Sequence, residues 1–422
     1  MTISPRTTAS EGELAIRGGR PVRETYLPYG HQTIDDDDLA AVTAVLKSAW
    51  LTTGPTVAEF ERAFARTVGA SEAVAVNSGT AALHAAMHAL GIGPGDEVIV
   101  PCITFAATAN AVVYIGGTPV FADVDPDTLL VTAESVARLI TPRTRAIVAV
   151  DYAGQPAEYD ALRTLSARHA LPLVADAAHA LGGSYRGRKV GTLADLNTFS
   201  FHPVKHITTG EGGMITTDDA ELAQRMRIFR THGITTDHHY RQAHGAWTYE
   251  MQTLGFNYRL SDIGCALGLS QLPKLEGRVR RRNELAARYR ETLDDLPEFV
   301  PLALLPERTH AYHLFVVRCR ARELGWTRNT IFPALRAEGI GVNVHYIPVH
   351  LHPFYRERFG TRPGLCPKAE AAYEEILTLP IFPAMTEQDV DDVCRALRKV
   401  ISASPPSEFH PLPSASDGRG PG

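Results

Sequence analysis

The chain has 422 residues, 44% hydrophobic and 21% charged, the profile of a globular protein with more chain than one core accommodates. Lys plus Arg number 42 against 47 Asp plus Glu, a net charge of −5. That balance argues against nucleic-acid binding, because phosphate-tracking domains run at a pI above about 9 or carry a basic stripe.

In chain order, Met1 to Gly12 is polar, rich in Thr and Ser, and expected to be disordered. It lacks the apolar stretch of a secretory signal, so a cytoplasmic location is expected. Short β-rich runs predict strands at Ala73–Val76, Glu97–Val100, Pro119–Phe121, Ala146–Val150 and Leu171–Ala175. Amphipathic stretches between them predict helices at Thr80–Leu90, Ala106–Ile115, Ala133–Ile140 and Glu158–His169, each long enough for a right-handed crossover. Val98 to Ala122 carries no charge, but its Pro, Gly and Asn residues fit strand, helix and strand better than a membrane span. The fold class is therefore α/β, a three-layer sandwich around a mostly parallel sheet.

After Leu272 the pattern changes. A charged helix, Glu276–Thr292, precedes a strand at Tyr312–Val317, a helix at Arg328–Glu338, a strand at Gly341–Val344 and helices at Lys368–Ile376 and Thr386–Val400. Arg278, Arg280, Arg281 and Arg282 read as a solvated helix face. The organisation predicted is a tail over 1–12, an arm and large domain over 13–272, a smaller α+β domain over 273–401 and a disordered tail over 402–422. Five cysteines, at 102, 265, 319, 366 and 394, show no CxxC spacing and read as reduced residues, not a disulfide frame or a zinc site. No metal is expected.

Ligands of open α/β sheets bind at the carboxyl ends of the strands, so the residues that follow each strand carry the chemistry. Ser78-Gly79-Thr80 ends a strand and opens a helix, where small residues let backbone N–H groups approach an anion such as phosphate. An ordinary helix cap reads the same way. Phe105 follows the next strand and either stacks on a planar ring or packs in the core. Asp176 closes the strand at Leu171–Ala175, where a carboxylate can hold a proton on a ring nitrogen or cap a helix; His179 is a ligand contact or a core histidine. Lys205 lies in Ser200-Phe201-His202-Pro203-Val204-Lys205-His206, ahead of a Gly-rich turn, and a desolvated amine there is a neutral nucleophile. An anion cradle, an aromatic face, a carboxylate and a lysine, in this order, are the parts of a pyridoxal phosphate site.

These motifs resemble the fold-type I aminotransferases that act on nucleotide-linked keto-sugars, from about Tyr29 to Val400. The resemblance implies the aspartate aminotransferase-like fold and pyridoxal 5′-phosphate, with Lys205 as the lysine that bonds it. Asp176 would partner the pyridine nitrogen, His179 would lie near the phenolic oxygen, and Ser78, Gly79, Thr80 and Ser200 would hold the phosphate. Asn257, in Gly255-Phe256-Asn257-Tyr258-Arg259, matches the residue that reaches the phosphate of a neighbouring subunit, which implies a homodimer with shared sites. Within the family, Val150-Asp151-Tyr152-Ala153-Gly154, Phe229-Arg230-Thr231-His232-Gly233 and Val344-His345-Tyr346-Ile347-Pro348 look like the branch serving pseudaminic acid biosynthesis. Tyr29, Leu51, Thr52, Thr53, Gly54, His345, Tyr346, Ile347 and Pro348 would then contact the sugar nucleotide. The implied reaction moves an amino group from glutamate to a UDP-linked 4-keto-6-deoxy-N-acetylhexosamine; another nucleotide keto-sugar, or a sugar dehydratase, is the alternative. Gly79 stands where that branch has Ala, and Gln155 where it has Lys, which leaves the exact sugar open.

Overall fold

The computed structural model describes residues 13–235 and 247–405. The predicted tail over 1–12, and residues 406–422 of the C-terminal one, lie outside them. Seven strands form the main sheet: β1 (Glu72–Val76), β2 (Glu97–Pro101), β3 (Thr118–Ala122), β4 (Thr144–Val150), β5 (Leu173–Asp176), β6 (Leu196–Ser200) and β7 (Gly213–Thr217). Their order is β1-β7-β6-β5-β4-β2-β3. All neighbours are parallel except β7, which runs antiparallel to both β1 and β6. Helices cover both faces, so the central strands are buried on both sides and read as continuous apolar runs. The α/β expectation holds, and Val98 to Ala122 is strand, helix and strand.

A second, three-stranded antiparallel sheet comprises β8 (Phe299–Pro301), β9 (Phe315–Cys319) and β10 (Ile376–Leu379). Its apolar cluster includes Leu285, Tyr289, Val393 and Leu397 from the flanking helices and Trp326 from the loop before the helix Arg328–Ala337. Among the described residues, no helix is long and apolar enough to cross a membrane.

Several expectations are corrected. Gly341–Val344 is not a strand: only Asn343 makes a bridge, to Thr378, while Asn343 and Val344 line a cavity and Val342 packs in the second sheet's apolar cluster. The strand predicted from Tyr312 begins at Phe315, since Tyr312 has φ 47°, outside the extended region. Arg282 is not solvated. It is buried and donates from Nη1 to the carbonyls of Tyr312 and Ile381, both at 2.9 Å, pinning the long helix Leu275–Leu293 to the loops around it. The end of the chain is ordered further than expected: the last helix runs Glu387–Ser402, and the Trp326 indole donates to Ala403 O at 3.1 Å.

Candidate active site

A cavity of about 490 Å³ opens at the carboxyl ends of the parallel strands, where open α/β sheets place their ligands. Ser78, Gly79, Thr80 and Ser200 line one part of it, and Phe105, Asp176, His179 and Lys205 another. The sequence-predicted phosphate, ring and lysine positions are therefore brought together.

Each is placed by local structure. Ser78 caps the helix Gly79–Ala89, its side chain accepting from Ala81 N at 3.0 Å. Capping and cradle coexist, because the first amides of a helix have no intrahelical acceptor and favour an anion. Gly79 passes close to the strand end: a Cβ there would lie 2.9 Å from Ser200 Cβ, so an added side chain would force a shift. Asp176 ends β5, between Val150 of β4 and Thr198 of β6. Its carboxylate accepts from Thr108 Oγ1 at 2.6 Å and from Ala178 N at 3.3 Å. Burial pushes its pKa up, against these hydrogen bonds and the nearby Lys205 charge.

Lys205 sits on a loop pinned at both ends. Phe201 N donates to Gly212 O at 2.8 Å and Thr209 N to Phe201 O at 3.1 Å, while His202 O accepts from Lys205 N at 2.9 Å. Desolvation pushes the Lys205 amine down to about 7, with Asp176 opposing and Arg282 adding to the shift. Its Nζ lies 3.2 Å from His313 Nε2. His179 and His313 lie with ring centroids 4.5 Å apart, and burial holds both pKa values well below the usual histidine range, so both rings are neutral. His179 Nε2 meets the Tyr346 hydroxyl at 3.1 Å.

Tyr29, His345 and Tyr346 line the same cavity, and Phe105 faces Tyr346 with centroids 5.9 Å apart. Ile347 and Pro348 do not: Ile347 is exposed and Pro348 is buried beside the cavity, so their predicted substrate contacts are not made within this lining. Leu51, Thr52, Thr53 and Gly54 line a different cavity of about 1180 Å³, together with Arg230 and Arg259. Their loop is held by buried Asp262, which accepts from Gly54 N at 2.7 Å and Thr56 N at 3.0 Å. A Cβ at Gly54 would meet Asp262 Oδ1 at 2.6 Å, so the turn needs glycine. Asn257 is exposed and outside the Lys205 cavity. One chain alone does not unite these residues with Lys205.

Sequence reasoning missed His313, Thr108 and Asn343. The signal for Thr108 was present, since Thr104 and Thr108 are one helical turn apart after a strand end and their hydroxyls meet at 2.8 Å. His313 carries no local signal, as 108 residues separate it from Lys205.

The family profile for DegT/DnrJ/EryC1/StrS aminotransferases matches residues 32–398. The chain belongs to this family. It is 41% identical over 384 residues to the spore coat polysaccharide biosynthesis protein SpsC of Bacillus subtilis, covering 90% of this chain and 99% of that one. It is similar to Helicobacter pylori PseC, an aminotransferase involved in pseudaminic acid biosynthesis, with TM-score 0.83, 33% identity and coverage of 90% and 100%. The sugar aminotransferase Spr1654 of Streptococcus pneumoniae, assigned as putative and solved with pyridoxal phosphate, matches with TM-score 0.83, 32% identity and coverage of 89% and 99%; its pyridoxamine form matches as well. Aminotransferases of this family depend on pyridoxal phosphate.

The residues here fit that cofactor. Gly79 leaves room where a side chain would strike Ser200, a desolvated amine faces the cavity, and a carboxylate engaged by Thr108 and the Ala178 amide lies beside it.

Proposed function

We propose that this sugar aminotransferase moves the amino group of glutamate to a UDP-linked 4-keto-6-deoxy-N-acetylhexosamine, giving the 4-amino sugar nucleotide. The observation that carries the amination is the Lys205 amine, lowered to about 7 and sharing a cavity with Asp176 and the Gly79 cradle. The sugar rests on the likeness to PseC and SpsC and on the His345-Tyr346 segment at the cavity wall.

Bound pyridoxal phosphate supplies an electron sink and carries nitrogen between the two substrates. The start of the helix Gly79–Ala89, with Thr80 and Ser200, would hold its phosphate, and Phe105 would lie against its ring. Asp176 would keep a proton on the ring nitrogen, an ion pair strong in so dry a site. Lys205 Nζ would hold the cofactor and, as a free amine, would take the proton from Cα of glutamate and later give one to the sugar carbon that receives nitrogen. His313 orients that amine at 3.2 Å, and His179, held by Tyr346, lies near the phenolic oxygen. A sugar dehydratase of this fold keeps its cofactor unanchored, and Lys205 argues against that reading.

The working enzyme is a homodimer with shared sites, acting in the cytoplasm. Trp247, Met251 and Leu254, exposed at 84%, 63% and 73%, precede Asn257 in the chain, and a partner covering this segment would bring Asn257 and the Leu51–Gly54 loop to the other subunit's cofactor. The division near residue 272 into a cofactor-binding domain and a small domain belongs to the same proposal. Incubation with ¹⁵N-glutamate and the UDP-4-keto sugar tests the assignment: mass spectrometry should find the label in the nucleotide sugar. Label transferred only to a 3-keto or other nucleotide sugar would replace the substrate and keep the amination.

A further inference from the structure

Three residues that the sequence scatters widely meet in the apolar core just past the end of β2. Cys102 follows β2, His350 follows the His345-Tyr346 segment and Cys366 opens the helix Pro367–Tyr373. All three are fully buried, and a ring nitrogen and the two sulfurs lie within 4.8 Å of one another. We propose that Cys102, His350 and Cys366 bind a borderline-soft divalent metal ion, zinc foremost, outside the catalytic cavity.

The ligand chemistry fits. Bonds of about 2.0–2.3 Å to zinc put two ligand atoms at most about 4.6 Å apart, so small side-chain rotations close the set. Thiolate and imidazole ligands select zinc over the hard cations. Two thiolates with a neutral ring cancel the charge of the ion, which makes a buried site affordable in electrostatic terms. Both thiol protons leave to solvent on binding, so uptake strengthens as pH rises.

The histidine is arranged for the task. Glu370 Oε1 lies 2.9 Å from His350 Nε2, while His350 Nδ1 is buried with no partner among the described residues. A carboxylate holding one ring nitrogen while the other is left free is the outer-shell pattern of metal-bound histidines. Glu370 is itself fixed by the amides of Gly364 and Cys366. No role in amination uses any of these groups. The ion would join two parts of the chain, since Val349 N already donates to Cys102 O at 2.7 Å. Cys102 lies three residues before Phe105, and His350 four after Tyr346, so the clamp sets the spacing of two cavity walls.

The test loads the cofactor-saturated enzyme with cobalt(II) after chelation. The wild-type chain should bind one cobalt and show the long-wavelength d–d bands of a tetrahedral thiolate site. Cys102→Ser and Cys366→Ser should each lose those bands while keeping the cofactor spectrum. In wild-type protein, zinc should restore a melting temperature lowered by chelation, a readout that needs no variant to fold. Absence of the bands in wild type, their survival in both variants, or a Cys102–Cys366 disulfide in freshly purified protein would overturn the proposal.

Discussion

At the scale of single residues, the proposed chemistry rests on the buried Lys205 amine, whose pKa desolvation lowers to about 7, and on the buried carboxylate of Asp176. Lys205→Ala removes the only amine positioned to move the Cα proton, and turnover should fall by about 10²–10⁴-fold or more with an unchanged circular dichroism spectrum. Asp176→Asn keeps the shape but loses the charge. An opposite charge shifts a partner's pKa by about 1–3 units, so both half reactions should slow by about 10- to 1000-fold; normal single-turnover rates in both would remove Asp176 from the scheme. The amine also makes a pH prediction. Its folded pKa of about 7 lies below the ordinary lysine value of 10.5, so it is neutral above pH 7 and protonated below. Reconstitution of the cofactor-free enzyme with pyridoxal phosphate should accelerate through pH 7 and then level off. A rate that keeps climbing towards pH 10 would mean an ordinary solvated lysine.

At the scale of elements, the site depends on what each strand hands to the next segment. Gly79 shows the constraint most directly, because the helix start must pass close to Ser200 at the end of β6. Gly79→Ala should weaken cofactor retention several-fold on dialysis, with loss of the phosphate cradle as the cause; free pyridoxal should bind equally well to both forms. The parallel core was legible because β1 to β5 are short β-rich runs spaced by amphipathic helices. Asp176 and Lys205 were legible because each follows such a strand or a stiff turn. β6 and β7 were not, since Leu196–Ser200 and Gly213–Thr217 are rich in Thr, Ser and Gly and offer little apolar contrast. Gly341–Val344 misled for the opposite reason: its apolar residues look like a strand, but Val344 serves a cavity wall and the segment makes one isolated bridge. Arg282 was misread because a basic run on a helix reads as solvent-facing until the carbonyls it caps are known.

At the scale of the whole molecule, the residues that the proposed reaction would use line two cavities of one chain. Dimerisation resolves this if Asn257 and the Leu51–Gly54 loop complete the partner's site. A mixture of Lys205→Ala and Asn257→Asp chains, denatured and refolded together, then rebuilds one sound site in each mixed dimer and should recover about a quarter of wild-type activity. Strictly additive activities would place Asn257 and Lys205 in the same subunit's site. No local sequence pattern would reveal such sharing, which would depend on a surface rather than on spacing; the family motif alone points to it.

The central claim, that Lys205 and Asp176 form a site that carries nitrogen from glutamate to a nucleotide keto-sugar, is tested most directly by the visible absorbance of the cofactor-loaded protein. A yellow band should be present, fade on adding glutamate and return on adding the UDP-4-keto-6-deoxy-N-acetyl sugar, with Lys205→Ala showing no such cycle. A band indifferent to glutamate, or a full cycle in Lys205→Ala, would contradict it.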